Sequence, residues 1–162
     1  MSAPRSRSHI PAAGKAGAAT TSLARRLEEH GLIMLYDGRC GLCNATVRWL
    51  LRRDRGGTMC FAPLESAIGR AALARLPSLN GVDSVVLLHK DGAWIKSTAM
   101  LEMLRYVGGV WSFATVGYAL PRGVRDAIYD FIARRRYAWF GKLAACPRPS
   151  PEDAPRFLMK GV

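Results

Sequence analysis

The chain has 162 residues, of which 49% are hydrophobic and 22% charged, with a mean hydropathy near zero. That balance predicts one globular domain large enough to bury a core without disulfide staples, and it argues against a disordered or collagen-like chain. The formal charge of +12 invites a nucleic-acid reading, but the arginines fall in separate clusters at 25–26, 48–55 and 134–136 that flank apolar residues, and no nucleic-acid module is recognisable. Specific nucleic acid is therefore left out of the expected partners.

Residues 1–30 are rich in Ala, Ser and Arg, hold no acid before Glu28 and lack a continuous apolar stretch. They read as a flexible basic leader without a secretory signal, and the same composition suits an organelle transit peptide as the minor alternative. Leu32 to Tyr36 is the first predicted strand, bounded by Gly31 and by the turn pair Asp37-Gly38. A helix follows with Leu42, Ala45, Val47, Trp49 and Leu50 on its apolar face, Arg48, Arg52 and Arg53 outward, and Gly56-Gly57 as the stop. Thr58 to Ala62 is the second strand, closed by Pro63, and Ser66 caps a helix that runs to Leu76 before Pro77.

Ser84 to Leu88 reads as a strand covered on both faces. Lys90-Asp91-Gly92 turns it into Trp94, Ile95 and Lys96, which predicts a hairpin. Ser97 is placed to cap a helix carrying Met100, Leu101, Met103 and Leu104, ended by Gly108-Gly109. The apolar segment from Val110 to Leu120 contains Ser112, Thr115 and Gly117 and is too short for a transmembrane segment. Pro121 opens a longer helix whose buried stripe is read as Val124, Ile128, Phe131 and Ile132, with Arg136, Tyr137, Trp139 and Phe140 read as a helix end packing aromatics under the sheet and leaving its basic groups in solvent. The chain then frays through Pro147, Pro149, Pro151 and Pro155.

This order predicts an α/β, thioredoxin-like mixed sheet with flanking helices and an additional C-terminal helical segment. It is read as a single domain over residues 31–162 with a Pro-rich tail. The first strand-to-helix junction then holds Asp37, Gly38, Arg39, Cys40, Gly41, Leu42 and Cys43 at the carboxyl edge of the sheet, where ligands usually sit.

Two thiols at that spacing can carry dithiol chemistry. Cys40 at the helix start faces unpaired backbone N–H groups and the positive end of the helix dipole, which favours thiolate and makes Cys40 the expected nucleophile. Arg39 acts in the same direction if its side chain turns to the sulfur. Cys43, one turn inside the helix, is placed to attack the mixed disulfide and close a Cys40 to Cys43 bridge. Gly41 and Leu42 set how the ring closes. Asp37 is read both as a turn residue and as a group able to move a proton for Cys43 or raise a thiol pKa.

Haem attachment needs His after the second cysteine, where Asn44 stands, and zinc needs ligands that the scattered Cys60, Cys146, His9, His30 and His89 do not group. No cofactor and no metal are expected. Cys60 reads as a small buried hydrophobe, and Cys146 as incidental or a third, regulatory thiol.

Asp37, Cys40 and Cys43 within YDGRCGLCN, followed by Phe61-Ala62-Pro63-Leu64, Asp83-Ser84-Val85-Val86, Arg125-Asp126, Tyr129-Asp130, Arg136-Tyr137 and Trp139-Phe140-Gly141, resemble the DCC family of predicted thiol-disulfide oxidoreductases. The likeness runs from about Leu32 to Leu158. It implies a thioredoxin-like fold and a protein-disulfide reductase type of activity on protein or small-molecule disulfides, recycled by a cellular thiol or dithiol reductant. Cys40 attacks and Cys43 resolves in that scheme, with Asp37 in the site. Thioredoxins place a cis-proline before the facing strand, whereas Val82-Asp83-Ser84 stands here, so Asp83 and Ser84 join Arg39, Gly41 and Leu42 as expected substrate contacts. The cytoplasm is the expected compartment. The rival expectation is a non-catalytic basic binding module whose thiols are regulatory or bind metal.

Overall fold

The computed structural model describes residues 18–76 and 84–159. The elements are α1 (Ala18–His30), β1 (Leu32–Tyr36), α2 (Gly41–Arg53), β2 (Met59–Pro63), α3 (Ala67–Arg75), β3 (Val86–His89), β4 (Gly92–Ile95), α4 (Lys96–Val107), a 3₁₀ segment (Gly109–Ala119), α5 (Arg122–Phe140) and a 3₁₀ turn (Ala154–Arg156).

The four strands form one mixed sheet in the order β2-β1-β3-β4. β1 runs parallel to β2, with Leu32 opposite Met59, and antiparallel to β3, with Leu35 opposite Val86. β3 and β4 make the expected hairpin, with Val86 opposite Ile95. β1 is apolar at every position because alternate side chains enter two different cores. Ile33 and Leu35 face α1 and α3, joining Leu23, Leu27, Ile68 and Ala72. Met34 and Tyr36 face α2 and α4, joining Val47, Leu50, Ala99 and Met103. The expected thioredoxin-like α/β architecture is the one observed.

Local boundaries follow local chemistry. Ser66 caps α3 through the Gly69 amide, 3.0 Å away, as expected. Pro63 belongs to β2 instead of closing it, which the edge position of β2 permits. α2 ends at Arg53, before the glycines, because the Asp54 carboxylate leaves the helix to accept the Met59 amide (2.9 Å), the Tyr106 hydroxyl (3.1 Å) and the Arg156 guanidinium. β3 starts at Val86, two residues late, since the Val85 amide donates to the Tyr129 hydroxyl (3.0 Å) and not to a strand. Ser97 does not cap α4: the helix begins one residue earlier, and the Ser97 hydroxyl bonds Asp126. Gly108, at φ 73, ends α4 as expected. Pro77 and Asp83 lie outside the described residues.

Three expectations are corrected. The leader does not stay free up to residue 30, because Ala18–His30 is helical and buries Leu23 and Leu27 against α3 and the sheet. The tail does not fray to its end either: Phe157 bridges to Phe61, the Leu158 amide donates to the Phe61 carbonyl (2.8 Å), and Leu158 is buried. The third concerns α5. Val124, Ile128, Phe131 and Ile132 face outward, with Ile128 53% exposed, and the face turned to the domain is polar. Asp126, Asp130 and Tyr129 find partners on Ser97, Lys96 and Val85, and buried polar partners of that kind fix which side of a helix goes in.

A Cβ at Gly69 would overlap the carbonyl oxygens of Pro63 and Leu64. Gly to Ala inside a helix ordinarily stabilises by roughly 0.5–1 kcal/mol. Gly69→Ala is expected to reverse that sign and cost about 1–3 kcal/mol in chemical denaturation, because α3 cannot keep its distance from the end of β2.

Candidate dithiol site

The turn after β1 is built by short polar contacts. The Asp37 carboxylate accepts the Arg39 amide at 2.8 Å, the Cys40 amide returns to the Asp37 carbonyl at 3.2 Å, and Cys40 takes the N-cap position of α2 in an extended conformation (φ −84°, ψ 122°). Its sulfur accepts the Cys43 amide at 3.2 Å. Asn44 is buried and donates to the Gly38 and Cys40 carbonyls at 2.8 and 2.9 Å, so the loop is pinned from inside the helix.

Both thiols are unbridged and buried. Burial pushes the Cys43 thiol far up, and its hydrogen bond with Cys40 and the charge interaction between the two sulfurs push the same way, only partly opposed by Arg136. Cys43 therefore stays protonated through neutral pH. Cys60 is fully buried, as expected of a small hydrophobe. Cys146 lies beside the site loop, its sulfur 3.7 Å from the Tyr36 hydroxyl and against Gly38, where a Cβ would meet it at 2.8 Å.

Asp37 does more than make the turn. Its second oxygen is hydrogen-bonded by the Tyr137 hydroxyl and ion-paired with Arg136 at 3.2 Å. Burial alone would raise this carboxyl, but the bonds from Tyr137, the Arg39 amide and Arg136, with the charge of Arg136, outweigh it and hold it below the usual carboxylate range. Arg136 is only 5% exposed, so the sequence reading that left its charge in solvent is corrected. Trp139 and Phe140, read as packed under the sheet, are half exposed.

Past α5 the chain turns at Gly141 (φ 76) and runs antiparallel to the site loop. The Leu143 amide donates to the Arg39 carbonyl at 2.7 Å, the Gly41 amide donates to the Gly141 carbonyl at 3.2 Å, and Cys40 bridges to Lys142. Arg39 turns to this strap, its Nε donating to the Leu143 carbonyl at 3.3 Å, and not to the sulfur. Only glycine fits at 41, since a Cβ would overlap the Phe140 carbonyl oxygen. Beneath this strap Cys40 has no exposed surface.

Leu42 packs at the edge of the same core. The β1–β3 pairing ends at Leu35 opposite Val86, two residues before Asp37 and two after Ser84. The Ser84 hydroxyl is buried and has no hydrogen-bond partner among the described residues. Also among the described residues, no three His, Cys, Asp or Glu side chains gather as metal ligands, and no helix is long and apolar enough to cross a membrane. Sequence reasoning missed Arg136 and Tyr137 as site residues, Asn44 as a loop anchor and the strap. One signal for Arg136 was present: Asp126, Tyr129, Asp130, Arg136 and Tyr137 share one face at helical spacing, a polar stripe beside the apolar one.

A parallel strand-helix-strand unit joined to an antiparallel hairpin and helix, with Cys-x-x-Cys opening the helix after the first strand, defines a thioredoxin-like dithiol domain. Comparison with known families narrows this. The chain belongs to the DCC1-like thiol-disulfide oxidoreductase family, whose profile matches residues 34–142. It is 39% identical over 128 residues to the uncharacterized protein YuxK of Bacillus subtilis (strain 168), covering 78% of this chain and 93% of that one. It is 36% identical over 123 residues to the chloroplastic DCC family protein At1g52590 of Arabidopsis thaliana, covering 74% and 70% respectively. No solved structure matches significantly.

The Asp37–Arg136 pair gives a pH prediction. A carboxyl held lower in the folded state than in the unfolded chain stabilises above the unfolded value, and that contribution is lost as pH falls through the folded one. Asp37→Asn takes a charged partner from a buried guanidinium and is expected to cost about 3 kcal/mol at neutral pH. In thermal melts, the wild type should lose this margin on acidification while the variant changes less.

Proposed function

We propose that the protein is a thiol-disulfide oxidoreductase of the protein-disulfide reductase type, with Cys40 as nucleophile and Cys43 as resolving thiol. The observation that carries this reading is the Cys43 amide aimed at the Cys40 sulfur from the first turn of α2, the contact that a thiolate at a helix N-terminus accepts. Family membership supports the reaction class.

The Cys40 thiolate attacks one sulfur of a substrate disulfide. A Cys40–S bond forms, the substrate S–S bond breaks, and the leaving thiolate takes a proton from solvent. Cys43 then loses its proton, attacks the Cys40 sulfur and expels the second substrate thiolate. The substrate gains two electrons, the protein holds a Cys40–Cys43 disulfide, and a cellular thiol or dithiol reductant restores the dithiol by the same exchange in reverse. Because burial holds the Cys43 thiol up, the resolving step accelerates as pH rises.

Attack requires the Gly141–Leu143 strap to move off Cys40, with Gly141 as the pivot. Its departure frees the Arg39 carbonyl and the Gly41 amide, two groups that an extended substrate segment can pair with in its place. Leu42 and the unpartnered Ser84 hydroxyl complete the substrate contacts in this reading. Asp37 acts as a positioning residue, since its ionised carboxylate is committed to Arg39, Arg136 and Tyr137. The reducing cytoplasm is the compartment we favour; the chloroplastic relative makes an organelle the competing assignment.

The test is trapping on a disulfide substrate. Cys43→Ser should accumulate a mixed disulfide through Cys40, Cys40→Ser should accumulate none, and the wild type should release reduced substrate. Slow and equal alkylation of both thiols, together with stoichiometric zinc in the purified protein, would contradict the proposal and favour a non-catalytic module.

A further inference from the structure

α5 is built inside out. Its inward edge is polar and every part of that edge is used: Asp130 pairs with Lys96 at 2.8 Å, Asp126 bonds Ser97, Tyr129 accepts the Val85 amide, and Arg136 pairs with Asp37. Rotating the helix to bury its apolar side would break all four contacts. The apolar side therefore stays outside by construction, with Val124, Ile128 and Phe131 each about half exposed. The preceding 3₁₀ segment also leaves Val110, Phe113 and Val116 each more than 70% exposed. Trp139 continues the stripe, its ring 5.9 Å from that of Phe131.

This exceeds the scattered single hydrophobics normal on a monomer. Exposed cations edge it at Arg134 and Arg135, the Arg135 guanidinium 4.1 Å from the centre of the Phe131 ring. The carboxylates of α5 are turned inward and neutralised, Asp130 by Lys96 and Asp126 by Arg122 at 3.4 Å, so the outward face presents apolar and cationic groups together.

We propose that the outward face of α5 and the 3₁₀ segment docks on an anionic lipid bilayer surface. Charge complementarity selects this occupant. Aromatic and aliphatic side chains flanked by arginines are the pattern of an element lying in the headgroup plane, where apolar burial and attraction to anionic lipid act together. A second copy of the chain would bring another +12 charge against the same face, and like charges oppose that contact. Docking is peripheral, since among the described residues no helix can span. It also has a geometric consequence for the dithiol: the face ends at Phe140, one residue before the strap that covers Cys40, so a docked protein holds its site loop close to the membrane surface.

The test is flotation of the full chain with vesicles. With phosphatidylglycerol/phosphatidylcholine vesicles the wild type should float, and with phosphatidylcholine alone binding should fall at least roughly tenfold. Phe113→Asp combined with Phe131→Asp should lower binding to the anionic vesicles at least roughly tenfold while leaving the circular dichroism spectrum and melting temperature unchanged. If that variant unfolds, Val116→Ser with Ile128→Ser serves in its place. Failure of the wild type to float with anionic vesicles would overturn the proposal, and so would undiminished flotation of the folded variant. A dimer in sedimentation that the variant dissolves would assign the face to a second copy instead.

Discussion

The buried pair of Asp37 and Arg136, completed by the Tyr137 hydroxyl, is the interaction on which the rest of this structure hangs. Removing a guanidinium from water costs several kcal/mol, and only a well-placed anion offsets it. Asp37 supplies such an anion, and it stands in the turn that presents Cys40. The pair therefore ties the last long helix to the site loop and fixes the rotation of α5 about its own axis. Two features follow from one contact. The chain leaving α5 is delivered onto Arg39, Cys40 and Gly41, and the apolar side of the helix is turned to the outside.

The sheet supplies what does not move. β1 is buried on both faces and paired on both edges, so its carboxyl end is a fixed platform for the loop. Asn44, one turn inside α2, pins that loop through two carbonyls. Against this rigid base the strap is held by a few backbone hydrogen bonds and leaves α5 at a glycine with positive φ, which makes it, in the proposed reaction, the element that yields when a substrate approaches.

The parts legible in the sequence were those written in local chemistry. Leu32 to Tyr36 is apolar throughout because two cores claim alternate residues, Ser66 caps because its hydroxyl reaches an amide three residues on, and Lys90-Asp91 turns the hairpin into Gly92. The motif at Cys40 and Cys43 was legible because its spacing has meaning wherever a strand feeds a helix. The side of α5 that goes inward was not. Periodicity revealed an apolar stripe at Val124, Ile128 and Phe131, but burial is decided by partners distant in sequence, and those on Val85, Lys96, Ser97 and Asp37 favoured the polar stripe. The strap escaped notice for the same reason, since Gly141–Leu143 carries no strand signal and pairs only because α5 brings it to Arg39.

In the proposed reaction Cys40 and Cys43 form one redox couple while Cys60 and Cys146 stay outside it. Peptide mapping of the protein equilibrated in an oxidising glutathione buffer tests this directly. A single intramolecular bridge between Cys40 and Cys43 is expected. A bridge from Cys40 to Cys146, or stable glutathione adducts on Cys40 with Cys43 still reduced, would contradict it.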